Sequence, residues 1–138
     1  MNIILKESRT GWIKFEDDIE FLVDYLTIDQ DAKLKKILYE MGFTSDKLDN
    51  IESLSPSERA SVIYLSELYY KYYFKYAVKD WRGIKDKEGN PISFKMSGNE
   101  MNTDLWQKFC RAVPLDDIFK IVKRIKEQVE LTEDDKKK

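Results

Sequence analysis

The chain is 138 residues long and carries 26 acidic and 24 basic side chains, for a formal net charge of −2. That length fits one domain with a single small core. Because the acidic and basic side chains nearly balance, the net charge excludes a strong overall attraction to nucleic acid or to an anionic membrane. The chain has no histidine and a single cysteine, Cys110, which excludes an internal disulfide and removes the commonest general base and metal ligand.

Two short β-like runs stand near the start of the chain, at residues 3–5 and 12–15, on either side of a turn that contains Gly11. They predict a hairpin or an extended N-terminal arm. From about Asp17 to Leu26, apolar residues recur at three- and four-residue spacing. This spacing predicts a first helix over those residues.

The next two helices have clear start signals. Thr27 followed by Gln30 has the pattern of a capping box, and Gly42 is placed to end the helix that begins there. Residues 44–54 predict a short helix or a turn. The sequence "SPSE" at residues 55–58 is the strongest helix start in the chain, because it combines a serine cap, a proline at the first helical position and a reciprocal glutamate.

The helix that starts at "SPSE" extends to about Val78 and contains six of the eight tyrosines. Its apolar and aromatic residues cover much more of the circumference than the usual face of about 100°. Such a helix is either central in the fold or partly covered by another protein. Tyrosine suits both environments, because it has an apolar body and a hydroxyl that tolerates water. Both interpretations stay open, for different faces of the helix.

The segment "AVKDWRGIKDKEGNPISFKM" interrupts the helices with a tryptophan, two glycines and a proline. A turn that begins at Asp86 predicts a β-hairpin over about 82–94. In this hairpin Asp86 pairs with Asn90, and Ile84 lies opposite Ile92.

Two helices follow, one from about residue 101 to 112 and one that begins at Pro114. The last residues are charged and lack apolar anchors. The sequence therefore predicts a mainly α, single helical domain over residues 1–131, with one short hairpin and a possible N-terminal β element. It also predicts a disordered charged tail at 132–138.

The order of these elements, together with the pattern V-x-D-W-x-G-I-x-D-x-x-G-N-P-I-x-F, resembles the tail assembly chaperones of long-tailed phages and prophages. The opening "GWIKFEDDIEFLVDYL" (residues 11–26) is also similar to the start of such proteins. The residues that carry the match to the pattern are Val78, Asp80, Trp81, Gly83, Ile84, Asp86, Gly89, Asn90, Pro91, Ile92 and Phe94.

The resemblance implies a small, non-catalytic protein without a cofactor, made in the cytoplasm of the host bacterium and absent from the mature virion. Such chaperones hold the long, apolar, helix-prone tape measure protein until tail tube subunits polymerise around it. The expected partners are therefore the tape measure protein, the tail tube protein as a second candidate, and further copies of the chain in a homo-oligomer. Many members also have a longer, frameshifted form, and the three terminal lysines are compatible with one.

The expected contact surface is aromatic and acts by reversible burial of apolar area. At about 25 cal/mol per Å², a few hundred Å² offers several kcal/mol before the costs of association. The residues expected to form this protein-binding surface are Tyr69, Tyr70, Tyr73, Phe74, Trp81 and Phe94.

We expect no catalytic or metal site. The paired carboxylates of the chain are neighbours in sequence, and neighbouring residues on a helix point in different directions. The sequence contains no glycine-rich phosphate loop, no cysteine pair and no nucleophile motif. Cys110 has apolar neighbours, which indicate a buried thiol with a packing role. The apolar runs are too short for a membrane span and the N-terminus lacks the features of a signal peptide, so we expect a soluble intracellular protein.

The alternative is a helical nucleic-acid-binding or regulatory phage protein. The acidic balance of the whole chain opposes it, because charge runs on amphipathic helices are usually solvated faces. The basic side chains that support it are Lys71, Lys75 and Lys79 among the tyrosines, and Lys120, Lys123, Arg124 and Lys126 on the last helix.

Overall fold

The computed structural model describes residues 11–40 and 51–137, with side chains described at 11–40 and 52–128. The strands are β1 (Gly11–Glu16), β2 (Ile19–Val23), β3 (Val78–Arg82), β4 (Met96–Ser97) and β5 (Glu100–Met101). The helices are α1 (Ile28–Glu40), α2 (Pro56–Ala77), α3 (Thr103–Ala112) and α4 (Leu115–Lys137), and a short 3-10 turn covers Ile51–Ser53. The predicted strand at residues 3–5, the helix end at Gly42 and residues 44–50 lie outside the described residues.

A three-stranded antiparallel sheet in the order β1-β2-β3 forms one layer of the fold. Phe21 in the central strand lies between Ile13 of β1 and Trp81 of β3, and all three side chains are buried. The strands β4 and β5 form a separate two-stranded ribbon. The described part of the chain is therefore a mixed α/β domain, and the prediction of a mainly α fold is corrected by this sheet.

The predicted helix from Asp17 to Leu26 is wrong, because these residues form the β1–β2 turn, the strand β2 and an irregular segment at 24–26. Their apolar residues fit the two-residue period of a strand as well as a helical one, since Phe21 and Val23 face the core. Pairing with β3, about 60 residues further along the chain, gives the strand backbone partners on both edges and selects the strand. The expected N-terminal β element is confirmed in the run 12–15, which belongs to β1.

The predicted helix starts are confirmed. The Ser55 hydroxyl accepts from the backbone N–H of Glu58 (3.2 Å) and donates to the Glu58 carboxylate (2.9 Å). At the start of α1 the Thr27 hydroxyl accepts from the backbone N–H of Gln30 (3.2 Å), and the Gln30 side-chain oxygen accepts from the backbone N–H of Thr27 (3.0 Å). The helix α2 ends where Val78 turns extended (φ −83°, ψ 126°) and enters β3 without a loop.

The core lies between the sheet and the helices α2, α3 and α4. Phe74 of α2 is fully buried; its ring stacks on Phe109 of α3 at 4.5 Å and meets the edge of Phe21 at 5.6 Å. The helix α4 adds an aliphatic stripe to this cluster. The fully buried members of that stripe are Ile118, Val122 and Ile125.

The predicted hairpin at 82–94 has the expected turn. Asp86 N–H donates to the Asn90 carbonyl (2.9 Å), and Ile92 N–H donates to the Ile84 carbonyl (2.8 Å). Within the described residues its ladder is one isolated bridge, between Lys85 and Pro91, so the hairpin is shorter than an ordinary strand pair.

Two further contacts attach this hairpin to the domain. The Trp81 indole N–H donates to the Ile92 carbonyl (2.7 Å), and the Trp81 ring meets the ring of Phe94 edge-on at 5.1 Å. Gly83 has a φ of +85°, and a Cβ built there would lie 1.7 Å from the carbonyl oxygen of Asp18. The Trp-x-Gly sequence therefore allows the hairpin to lie directly against the β1–β2 turn.

The bounds of α4 include residues 132–137, for which the sequence predicts a disordered charged tail. That tail and the division of the chain at residue 131 stay predictions.

Among the described helices, none combines the length and the apolar character that a membrane crossing requires.

Replacing Gly83 with alanine should destabilise the fold strongly. The new Cβ collides with backbone atoms of Asp18 in addition to the strain of a positive φ, so we expect a loss of about 3 kcal/mol or more. Gly89 is the matched control: its φ is +83°, but no described atom lies within 4 Å of the corresponding Cβ position. Gly89→Ala should cost about 1–2 kcal/mol. Urea denaturation measures both, and equal losses would contradict the close approach at Gly83.

The Cys110 thiol should react slowly in the native chain. Burial raises its pKa to about 11, against a smaller opposing effect of Lys71. At about pH 8 the native thiolate is a much smaller fraction than in the unfolded chain, so alkylation by iodoacetamide should be at least about tenfold slower before denaturation than after it. Mass spectrometry of timed samples measures both rates. A native rate equal to the denatured rate would show that the thiol is not shielded.

Candidate functional site

The six residues expected to form a binding surface lie in two environments. Phe74 has no exposed surface, Trp81 is 6% exposed and Tyr73 is 8% exposed; their packing stabilises the core. The other three are half-buried: Tyr69, Tyr70 and Phe94. The structure does not join the six into one surface, because Trp81 and Phe94 pack together beside the hairpin whereas the tyrosines lie along α2.

The half-buried tyrosines pack beside the core. Tyr70 lies 4.6 Å from the ring of Phe119 on α4, and Tyr69 meets Tyr70 edge-on at 5.5 Å. Tyr69 is also in contact with Tyr73, at a ring distance of 6.1 Å. The accessible aromatic surface on the side of α2 that faces α1 is therefore provided mainly by the half-buried Tyr69, with the buried Tyr73 beside it.

On that side the chain encloses a cleft of about 320 Å³, which we call the tyrosine cleft. Tyr69 and Tyr73 form its floor, and its wall is formed by the segment that joins β2 to α1 together with the first two turns of α1. This volume is at the lower end of the range typical of binding pockets. The wall residues are Tyr25, Leu26, Thr27, Ile28, Asp31 and Leu34.

The sequence does not identify the wall residues as part of a site, because its pattern predicts a helix up to Leu26. One signal was present. Ile28 directly follows the capping residue Thr27, and it lies off the apolar stripe that Leu34 and Ile37 define. An apolar residue placed off the core-facing stripe is free to contact something else, and Ile28 is 88% exposed.

Polar contacts hold the wall in place. The carbonyl of Asn99, at the tip of the β4–β5 ribbon, accepts from the Gln30 amide (3.0 Å) and from the Lys79 ammonium (2.6 Å). Lys79 also donates to the Tyr76 carbonyl at the end of α2 (2.8 Å), and its burial lowers the pKa of the ammonium against the opposing charges of Asp24 and Glu100. The first turn of α1 is thereby tied to the end of α2.

A lysine of α4 fixes the floor. The Lys126 ammonium donates to the Tyr69 hydroxyl (3.1 Å) and lies 5.0 Å from the Tyr69 ring and 5.6 Å from the Tyr73 ring. A cation over a tyrosine face is attracted by the ring quadrupole. Because these rings are already held, binding of a ligand against them costs little further side-chain entropy.

Further apolar side chains are exposed on the same helices, away from the cleft. They belong to the C-terminal end of α1 and the first half of α2. These side chains are Tyr39, Ile63 and Tyr64.

The chemistry available at other surfaces is different. The hollow beside the β1–β2 turn is larger, about 610 Å³, but its lining includes Glu16, Asp17, Asp18 and Lys85. Within the described residues, no group of three or more His, Cys, Asp or Glu side chains is placed to hold a metal ion. The tyrosine cleft is thus the described hollow that combines an aromatic floor with an exposed apolar rim.

Comparison of the chain with protein-family models, with curated proteins and with solved structures finds no match.

Proposed function

We propose that this chain is a tail assembly chaperone of a long-tailed phage or prophage. It holds apolar helical segments of the tape measure protein in the cytoplasm of the host bacterium before the tail tube polymerises, and it is absent from the mature virion. Its action is reversible apolar contact, without catalysis or a cofactor. The observation that carries the proposal is the tyrosine cleft, with Ile28 exposed at its rim.

The size of the cleft supports a weak, releasable contact. A cleft of about 320 Å³ receives one or two apolar side chains of a client helix, and each buried side chain contributes about 1.5–3 kcal/mol. The costs of association remove much of this gain. A chaperone whose client must later enter the tail tube needs such a modest affinity per site.

A homo-oligomer makes weak sites effective on a long client. Several linked clefts raise the effective concentration of each site along one chain, so that overall binding exceeds the affinity of a single cleft. The exposed side chains of Tyr39, Ile63 and Tyr64 lie outside the cleft and are the surface we assign to contacts between copies. The tail tube protein stays a second candidate partner.

The contacts made by the basic side chains of the chain argue against the nucleic-acid alternative. Lys75 is buried, with its ammonium 3.3 Å from the Glu100 carboxylate, and Lys79 donates to two backbone carbonyls. Arg124 donates to the Phe15 carbonyl (2.9 Å), and Lys126 contacts the tyrosine floor. Phosphate binding needs basic groups that reach solvent together, and four of the seven residues that supported this alternative serve the fold instead.

The variant Ile28→Ser tests the cleft. We expect it to bind a helix-forming tape measure segment about tenfold more weakly, because one apolar contact at the rim is lost. Fluorescence anisotropy of a labelled segment measures the affinity. The matched control is Met96→Ser, at an exposed apolar residue outside both the cleft and the surface assigned to contacts between copies, and it should change this affinity less than about twofold. Wild-type affinity of Ile28→Ser would overturn the assignment of the cleft, and unchanged circular dichroism is expected for both variants.

Sedimentation velocity tests the contact between copies. Tyr64→Ser should shift the chain toward smaller species than the wild type, because it removes an exposed apolar ring from the surface assigned to self-association. Ile28→Ser should leave the sedimentation coefficient unchanged. A monomeric wild-type chain at micromolar concentration would contradict the homo-oligomer.

A further inference from the structure

We infer that the tyrosine cleft selects client helices that carry a lysine or arginine about one helical turn from the apolar side chain that enters the cleft, with the Asp31 carboxylate as its partner. This inference rests on the proposed function and names the chemistry of the client segment. It concerns a tape measure helix with both an apolar anchor and a neighbouring cation.

An apolar side chain and a carboxylate lie side by side at the rim of the cleft. Ile28 and Asp31 both line the cleft, and they are three residues apart on α1, so their side chains lie on one face about 5–6 Å from each other. Ile28 offers apolar surface to the methylene stem of a long basic side chain, while the carboxylate of Asp31 pairs with its charged end. A client helix with an anchor and a cation three or four residues apart matches this spacing.

The present partner of Asp31 is easily replaced. Lys35 lies one turn further along α1, and its ammonium is 2.9 Å from the carboxylate. The two side chains are 52% and 74% exposed for Asp31 and Lys35, respectively. Ion pairs this exposed contribute little to stability, because water screens them and because two long side chains lose freedom in forming them. A client cation that is also held by apolar contact therefore competes well for Asp31.

The client helix takes its orientation from Asp31, which is the charged side chain among the described residues that line the cleft. The cation of the client helix should point toward α1, because it pairs there with the Asp31 carboxylate.

The test uses the full chain and two synthetic helix-forming peptides with the same apolar stripe. One peptide carries lysine and the other glutamate at a single position one turn from the anchor residue. We expect the wild-type chain to bind the lysine peptide about five- to tenfold more tightly at low ionic strength, and this preference should shrink as salt is added.

Three variants assign the preference to one carboxylate. Asp31→Asn should bind the two peptides equally. Asp29→Asn is the matched control: it also removes an acid from the first turn of α1, but Asp29 is not among the described residues that line the cleft, so the lysine preference should remain. Lys35→Gln should increase the preference, because it removes the competing cation. Circular dichroism should show equal helicity in the two asparagine variants.

The possible failures are distinguishable. Equal binding of both peptides by the wild type overturns the charge selection and leaves the chaperone proposal in place. Binding of neither peptide overturns both. If Asp31→Asn disrupts the homo-oligomer and leaves peptide preference unchanged, the rim belongs to a contact with a second copy, and the inference is wrong.

Discussion

The fold depends on the burial of Phe74, because this one side chain of α2 packs against both α3 and the sheet. Its ring stacks on Phe109 of α3 and meets Phe21 of the central strand. Three residues later α2 ends and the chain continues as β3 without a loop, with Ala77 and Val78 both fully buried. The position of the helix and the position of the sheet are therefore set by the same few residues, and the cleft walls follow from that arrangement.

Polar contacts, in addition to the aromatic cluster, hold the elements of the fold together. The ammonium of Lys75 is enclosed by the Thr103 hydroxyl (3.1 Å), the Glu100 carboxylate and the ring of Trp106. A buried charge is costly unless it is paired and hydrogen-bonded in this way. Together with the Asn99 carbonyl, which accepts from Gln30 and Lys79, this network ties the β4–β5 ribbon to α1 and α2. The ribbon thereby positions the wall of a cleft that it does not line.

The residues of α2 lie in two environments, the core and the exposed surface. Its second half supplies the core with Tyr73, Phe74 and Tyr76, whereas its first half keeps Ile63 and Tyr64 exposed. The tyrosine cleft lies where these regions meet, and Lys126 there contacts the half-buried ring of Tyr69 and the buried ring of Tyr73. A rigid aromatic floor, an exposed isoleucine and a loosely paired carboxylate together suit a partner of mixed apolar and basic character.

Local sequence patterns are sufficient to predict the features that depend on near neighbours. The capping boxes at Thr27–Gln30 and Ser55–Glu58, the turn from Asp86 to Asn90 and the boundaries of the later helices all follow from contacts within four residues, so a local pattern is enough to predict them. The strand at residues 19–23 depends on long-range pairing, because the partner strand β3 is about 60 residues away. Long-range packing also separates the aromatic rings of the core from those that face the cleft. The rings of α2 are chemically alike, and what covers each of them is supplied by chain segments far away in sequence.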